Sequence, residues 1–192
     1  MPTKLIDGNL PDEDPVVIGI DQSLTGFAFS AVSLNDPSKH TTWVYKSPYF
    51  GIERLVDIRT WLDDHLHYVD EKHEIEDLAM EGTVLASHAA LVLGELSATV
   101  RLTIYDFFDD DRKYILKVPP MTLKKFAAGK GNAKKQEMLL QIYKRWGLEF
   151  TDDNAADAYA LGRLISKTYI NDVERAVADQ MSDPKYRDQS RI

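Results

Sequence analysis

Short apolar runs bounded by turn residues predict five β-strands in this sequence. Three of the runs follow one another closely and are joined by brief turns, which is the pattern of an antiparallel meander. The other two runs are set apart by longer helical stretches. The predicted strands are residues 16–21, 27–34, 41–46, 75–81 and 114–118.

Apolar residues at three- and four-residue spacing predict helices after the third strand. The first series is Leu55, Ile58, Leu62, Leu66 and Val69. Ser87 is a candidate N-cap for a second helix that ends near Phe108, and Gly147 marks the end of a later one. The remaining predicted helices are a short one that follows Pro120 and ends at Ala128, and residues 133–146 and 153–169.

This order of elements predicts one α/β domain, in which a mixed five-stranded sheet is flanked by helices. A chain of 192 residues has the length of a single domain. Residues 1–15 are polar and interrupted by prolines, so we interpret them as a flexible lead-in to a domain at 16–170. Residues 171–192 are charged and predict a polar tail that frays beyond about residue 180.

Composition excludes several classes of protein. The chain has no Cys, so it forms neither a disulfide framework nor a thiolate metal site. Its N-terminal residues contain no apolar signal core, and no run of about 18 apolar residues occurs anywhere. We therefore expect a cytoplasmic protein without a membrane segment.

Charge is distributed unevenly along the chain. The net charge is −8, which by itself argues against a nucleic-acid partner. Residues 117–145, however, contain eight Lys or Arg residues and a single acidic residue, Glu137. Such asymmetry indicates a local polyanion site on an acidic body, although a solvated Lys-rich helix face has the same composition.

Four acidic residues stand at the ends of predicted elements. Asp21 and Glu81 end two strands, and Asp153 and Asp157 lie one helical turn apart near the start of the last predicted helix. Taken singly, each has an ordinary explanation: Asp21 as a turn residue, Glu81 as a strand-end surface residue, and Asp153 as part of a helix cap.

Together, these acids predict a metal-dependent nuclease. Clustered carboxylates repel one another, and a hard cation such as Mg²⁺ or Mn²⁺ relieves the repulsion. Two such ions activate a water and stabilise the leaving oxygen in phosphodiester hydrolysis. Asp21 is the candidate bridge between two ions, with Glu81, Asp153 and Asp157 as further ligands. Asn154 is a candidate neutral oxygen ligand.

Four segments extend this pattern in order: residues 18–26 (IGID and TG), 80–82 (MEG), 124–135 (KKFAAGKGNAKK) and 155–161 (AADAYAL). Together they resemble the RuvC family of Holliday junction resolvases, within the RNase H-like nuclease fold. The matching region spans about residues 16–167. The tails and the short chain resemble a phage-type member, for which the location would be the host cytoplasm.

The resemblance implies a Mg²⁺-dependent homodimer that cuts opposed strands of a four-way or branched DNA. It implies active-site roles for Lys124 and Lys135. It implies that Val84 and Leu85 lie in a loop that wedges into the junction, and that the apolar helix 89–108 faces the sheet on one side and a partner subunit on the other. The implied DNA-binding lysines are Lys125, Lys130 and Lys134.

The sequence departs from the family pattern at one site position. The family commonly has an acid three residues before its last Asp, and here that residue is Asn154, with Asp153 one residue earlier. Either residue is a candidate to complete the metal site.

Three other functions compete with the junction nuclease. The first is a related nuclease acting on RNA, because the same fold also serves RNA processing. The second is an actin-like nucleotide-binding domain, which requires a second Gly-rich loop and a second domain that this chain lacks. The third is an inert DNA-binding module, which the intact acids Asp21, Glu81 and Asp157 disfavour.

Overall fold

A mixed six-stranded sheet organises the chain in the computed structural model, which describes residues 3–83, 90–108 and 115–187. The strand order is β1-β4-β3-β2-β5-β6, with β5 parallel to both β2 and β6 and the other pairs antiparallel. The strands are β1 Lys4–Gly8, β2 Val16–Asp21, β3 Phe27–Ser33, β4 His40–Tyr45, β5 Ile75–Glu81 and β6 Leu116–Val118.

Helices cover both faces of the sheet and form two separate cores. The first two helices pack on one face and the rest on the other, so β2 and β3 are buried along their whole length. The helices are α1 Gly51–Asp70, α2 Ala90–Phe108, α3 Pro120–Ala128, α4 Lys135–Trp146, α5 Asp153–Ile165 and α6 Asp172–Met181. Among the residues described, no helix is both long and apolar enough to cross a bilayer.

Helix α5 lies directly against strand β2 because two glycines face each other. A Cβ added at Gly19 would lie 2.0 Å from the carbonyl oxygen of Ala158 and 2.4 Å from the amide nitrogen of Gly162. Any side chain at Gly19 would therefore push the helix away from the strand. This contact fixes Asp157 on α5 relative to Asp21 at the end of β2.

The predicted α/β architecture is confirmed, but the expected flexible lead-in at 1–15 is wrong. Residues Lys4–Gly8 form β1, which pairs with β4 and makes the sheet six-stranded rather than five-stranded. The indole nitrogen of Trp61 donates a hydrogen bond to the Thr3 hydroxyl at 2.6 Å, which anchors this segment to α1.

The C-terminal segment also differs from the predicted polar tail. Helix α6 buries Val177 and Met181, and a 3₁₀ turn follows at Pro184–Tyr186. Beyond it, the Arg187 guanidinium donates to both carboxylate oxygens of Asp77 at 2.7 and 2.6 Å. Residues 171–187 are therefore part of the folded body.

Most predicted element boundaries agree with the structure to within two residues. The last predicted helix, 153–169, is an exception because α5 ends at Ile165. Ser87, the proposed cap of α2, lies outside the residues that the structure describes, as do Val84 and Leu85.

Candidate active site

The sheet brings the predicted acids together at the carboxyl ends of two neighbouring inner strands. Strands β2 and β5 are parallel neighbours, so Asp21 and Glu81 stand at the same end, and α5 carries Asp157 across β2. All three line one cavity of about 320 Å³, whose wall also contains Lys124, Lys135, Asp153 and Asn154. Residues more than 130 positions apart in sequence thus share one site.

Asp21 is the most deeply buried acid of the cavity, with 5% of its surface exposed. Burial raises the pKa of its carboxyl group well above the ordinary value, and repulsion by Glu81, Asp157 and Asp153 raises it further. The ammonium group of Lys135 opposes this rise.

Glu81 and Asp157 respond in the same way. Burial raises the pKa of Glu81, while the ammonium groups of Lys124 and Lys135 oppose this rise. Burial, followed by repulsion from Glu81 and Asp153, raises the pKa of Asp157 to about 7. The ionised forms of these neighbouring acids are therefore unfavourable, so the cavity favours a bound positive charge.

Lys135 supplies part of that charge. Its ammonium group forms an ion pair with the Asp153 carboxylate, and this contact raises the pKa of Lys135. Within the described ranges, no three acidic or His side chains form a group that holds a metal ion as they stand. The donor set itself, carboxylate oxygens at a partly solvated cavity, suits Mg²⁺.

The structure separates the roles of the three polar residues at the start of α5. Asp152 is the N-cap, because its side chain accepts hydrogen bonds from the amides of Asn154 at 3.0 Å and Ala155 at 3.2 Å. The Asn154 amide group lies over Gly26, where an added Cβ would be 2.3 Å from its nitrogen. Asp153 acts on the pKa values of both Asp21 and Asp157. Asp153 thus acts electrostatically on the buried acids, whereas Asn154 contacts the turn at Gly26.

The residues of the basic segment differ in their contacts and exposure. Lys130 forms an ion pair with Glu137 at 2.7 Å, and Arg145 packs against the end of α3, with its guanidinium 3.5 Å from the Phe126 carbonyl oxygen. Lys125 and Lys134 are exposed beside the cavity-lining residues Lys124 and Lys135. Exposed lysines thus adjoin, in sequence, both of the lysines that line the cavity.

Helix α2 presents an apolar stripe to solvent. Leu91, Leu102 and Tyr105 are 77%, 60% and 48% exposed. Val100, by contrast, is fully buried against the sheet, and Leu93 lines the cavity. The helix thus packs on the sheet along one side only.

Solved structures with the same architecture identify the fold. The RuvC of Thermus thermophilus superposes with a TM-score of 0.62 at 22% identity, over 90% of this chain and 98% of that chain. The same RuvC in complex with Holliday junction substrate gives a TM-score of 0.59 at 20% identity, over 87% and 96%. This chain has the fold of RuvC. No protein-family model and no curated protein sequence matches it.

The RuvC fold brings residues into the cavity that the sequence patterns did not single out. Gln22, Ser23 and Leu24 follow Asp21 and form one wall, and Leu93 and Leu139 contribute apolar surface. Gln22 was detectable in principle as a polar residue between an apolar strand and a turn. Leu93 carried no signal, because only the packing of α2 on the RuvC-like sheet brings it to the cavity.

Proposed function

We propose that this protein is a metal-dependent endonuclease that resolves four-way or branched DNA during recombination and repair. The observation that carries the proposal is the cavity where three partly or fully buried acids with raised pKa values meet two lysines. One neighbour of the same fold is solved with Holliday junction substrate. A buried acidic cluster beside exposed basic residues suits a cation and a phosphodiester together.

The residues of the cavity would have distinct roles in this reaction. Asp21 would contact both of two Mg²⁺ ions, or Mn²⁺ in their place, with Glu81, Asp157 and Asp153 completing the carboxylate set. Bound ions of this kind supply an activated water and stabilise the leaving oxygen. Lys135, released from Asp153, and Lys124 would neutralise charge on the scissile phosphate. Asn154 would hold the turn at Gly26 rather than the ion.

A panel of substrates tests this function. The protein would be incubated in Mg²⁺ or Mn²⁺ with labelled four-way junction, Y-fork, linear duplex and RNA–DNA hybrid. We expect incision of the branched DNAs and little of the linear duplex. Preferential cleavage of the hybrid would replace the proposal with an RNA-directed nuclease, and no cleavage of any substrate would refute it.

The exposed residues Lys125 and Lys134 should contribute directly to DNA affinity. Replacing both Lys125 and Lys134 by Ala should weaken junction binding in Ca²⁺ and reduce the slope of log K against log salt by about 1.8, since each phosphate contact contributes about 0.9. Lys72 and Lys185, which lie outside the basic segment, make the matched control pair. An unchanged slope, measured by fluorescence anisotropy at several salt concentrations, would show that Lys125 and Lys134 only solvate the surface.

We further propose a two-fold homodimer, because cutting two opposed strands in one encounter requires two active sites. The exposed stripe of Leu91, Leu102 and Tyr105 on α2 provides an apolar face for the partner subunit. A DNA-cutting enzyme without Cys fits a cytoplasmic location, in the host if the chain is encoded by a phage.

Placing a charge on this stripe should separate the subunits. Leu102→Glu should yield a folded monomer by light scattering and circular dichroism, and should convert paired incision of a junction into single nicks. Ile170→Glu adds the same charge at a residue that is 52% exposed and lies after α5, and should change neither property. A wild-type protein that stays monomeric at micromolar concentration with junction bound would contradict the dimer.

A further inference from the structure

Gln22 occupies an unusual position for a polar residue. It follows Asp21 directly, only 6% of its surface is exposed, and it lines the same cavity as the acids. The element to which it reaches is strand β5, which is 59 residues away in sequence. Its side chain therefore lies between the two strand ends that carry Asp21 and Glu81.

The amide nitrogen of Gln22 donates a hydrogen bond to the main-chain oxygen of Glu81 at 2.6 Å. The paired residues of β2 and β5 end at Ile20 and Met80, one step before the two acids. The Gln22 side chain thus continues the pairing of the two strands at the level where backbone pairing has stopped.

The other side of Glu81 is already fixed. Glu81 pairs with Val118 on β6, and the amide of Gly82 donates to the Val118 oxygen at 2.8 Å. With Gln22 on the opposite side, the main chain of Glu81 is held from both neighbouring strands. Such restraint is needed because the Asp21 and Glu81 carboxylates repel each other when both are ionised.

The second polar atom of Gln22 indicates why an amide stands here. Its Oε1 is buried and has no hydrogen-bond partner among the residues that the structure describes. An unpartnered buried oxygen is unfavourable, and Met would fill the same volume without it. The amide is therefore explained by its N–H donor and not by packing.

We propose that Gln22 is a positioning residue that holds the backbone of Glu81 so that the Glu81 and Asp21 carboxylates face one ion. The inference rests on the proposed metal-dependent function. Without the Gln22 hydrogen bond, the end of β5 moves away from β2, and the two acids bind Mg²⁺ more weakly while DNA contacts are unaffected.

Gln22→Met tests the proposal. The readout is the Mg²⁺ concentration that gives half of the metal-induced rise in thermal midpoint, measured on the full-length protein without DNA. We expect this concentration to increase about tenfold, with the metal-free midpoint unchanged or higher. Junction affinity in EDTA should stay within twofold of wild type. Gln141→Met, a half-buried Gln on α4 outside the cavity, is the matched control.

Two outcomes would overturn the inference. The first is a Gln22→Met protein with the wild-type Mg²⁺ response, and the second is a wild-type midpoint that does not respond to Mg²⁺ at all. Should Gln22→Met fail to fold, the same Mg²⁺ titration of Gln22→Glu at pH 8 tests the proposal instead. Loss of the donor predicts weaker Mg²⁺ binding, whereas added negative charge alone predicts tighter binding. A wild type that is stabilised by Mg²⁺ but cuts no branched DNA would refute the proposed function and leave this test intact.

Discussion

Asp157→Asn should abolish junction cleavage and at the same time make the metal-free protein more stable. Burial and neighbouring acids raise the pKa of Asp157 from 3.8 to about 7, so its ionised form is unfavourable in the fold. A shift of that size corresponds to about 4 kcal/mol at pH 8, which Asn removes. We expect the metal-free thermal midpoint to increase by roughly 8 °C, and the cleavage rate to fall by about 10³-fold or more.

The raised pKa also predicts how the stability of the metal-free wild-type protein changes with pH. A carboxyl group with a raised folded pKa binds more protons in the folded state than in the unfolded state. Stability of the metal-free protein should therefore decrease as the pH rises from about 4 to about 7, and Mg²⁺ should restore it above that range. Asp157→Asn should flatten this profile. Differential scanning calorimetry in EDTA, at several pH values, measures both effects.

Matched variants separate the site from the surface. Asp21→Asn and Glu81→Gln should also abolish cleavage, and Asp64→Asn, on the exposed side of α1, should change neither activity nor stability. Asp153→Asn should reduce the rate strongly and Asn154→Ala only mildly, because Asp153 faces the acids and Asn154 lies over Gly26. An active Asp157→Asn protein, or a destabilised one, would remove Asp157 from the proposed metal site.

Removing residues 171–192 should unfold the protein. The deletion takes away the buried side chains of Val177 and Met181, each of which contributes about 1.5–3 kcal/mol. It also removes Glu174, whose carboxylate accepts hydrogen bonds from the Trp146 indole at 3.2 Å and the Ile170 amide at 3.0 Å. The total exceeds about 5 kcal/mol, which is comparable to the whole stability of a domain.

A milder variant measures the same contribution without the deletion. Glu174→Ala leaves the Trp146 indole unpaired in the core and should lower the midpoint by several degrees. Asp179→Ala, on the exposed side of the same helix, is the control. A truncated protein that melts at the wild-type temperature would show that residues 171–192 are the dispensable tail that their composition suggests.

The positions of the acids were predictable because their signals are local. Asp21 and Glu81 each end an apolar run, and the parallel pairing of those runs places both acids at the same end of the sheet. Strand β1 was not predictable, because five residues of mixed polarity gain their structure only by pairing with β4. Helix α6 carried readable signals, an Asn171 cap and the spacing of Val177 and Met181, but its charged composition outweighed them.

The exposed face of α2 shows a third limit. Its sequence is apolar almost all round, so periodicity alone does not distinguish Val100, which is buried, from Leu102, which is exposed. Only the packing of α2 into the core that it shares with α1 and the sheet makes the distinction. Similarly, the basic segment was recognisable as a whole, while the ion pair of Lys130 with Glu137 depends on the loop between α3 and α4.

The facing glycines of β2 and α5 have a consequence for how the site can be altered. Gly162 lies five residues beyond Asp157 on α5, and an added Cβ there would meet the Val32 side chain at 2.7 Å. The separation of Asp21 and Asp157 is thus governed by two residues outside the cavity lining. If the proposed metal site is correct, variation at Gly19 or Gly162 offers an engineer a way to tune which cation it accepts while every acidic residue stays in place.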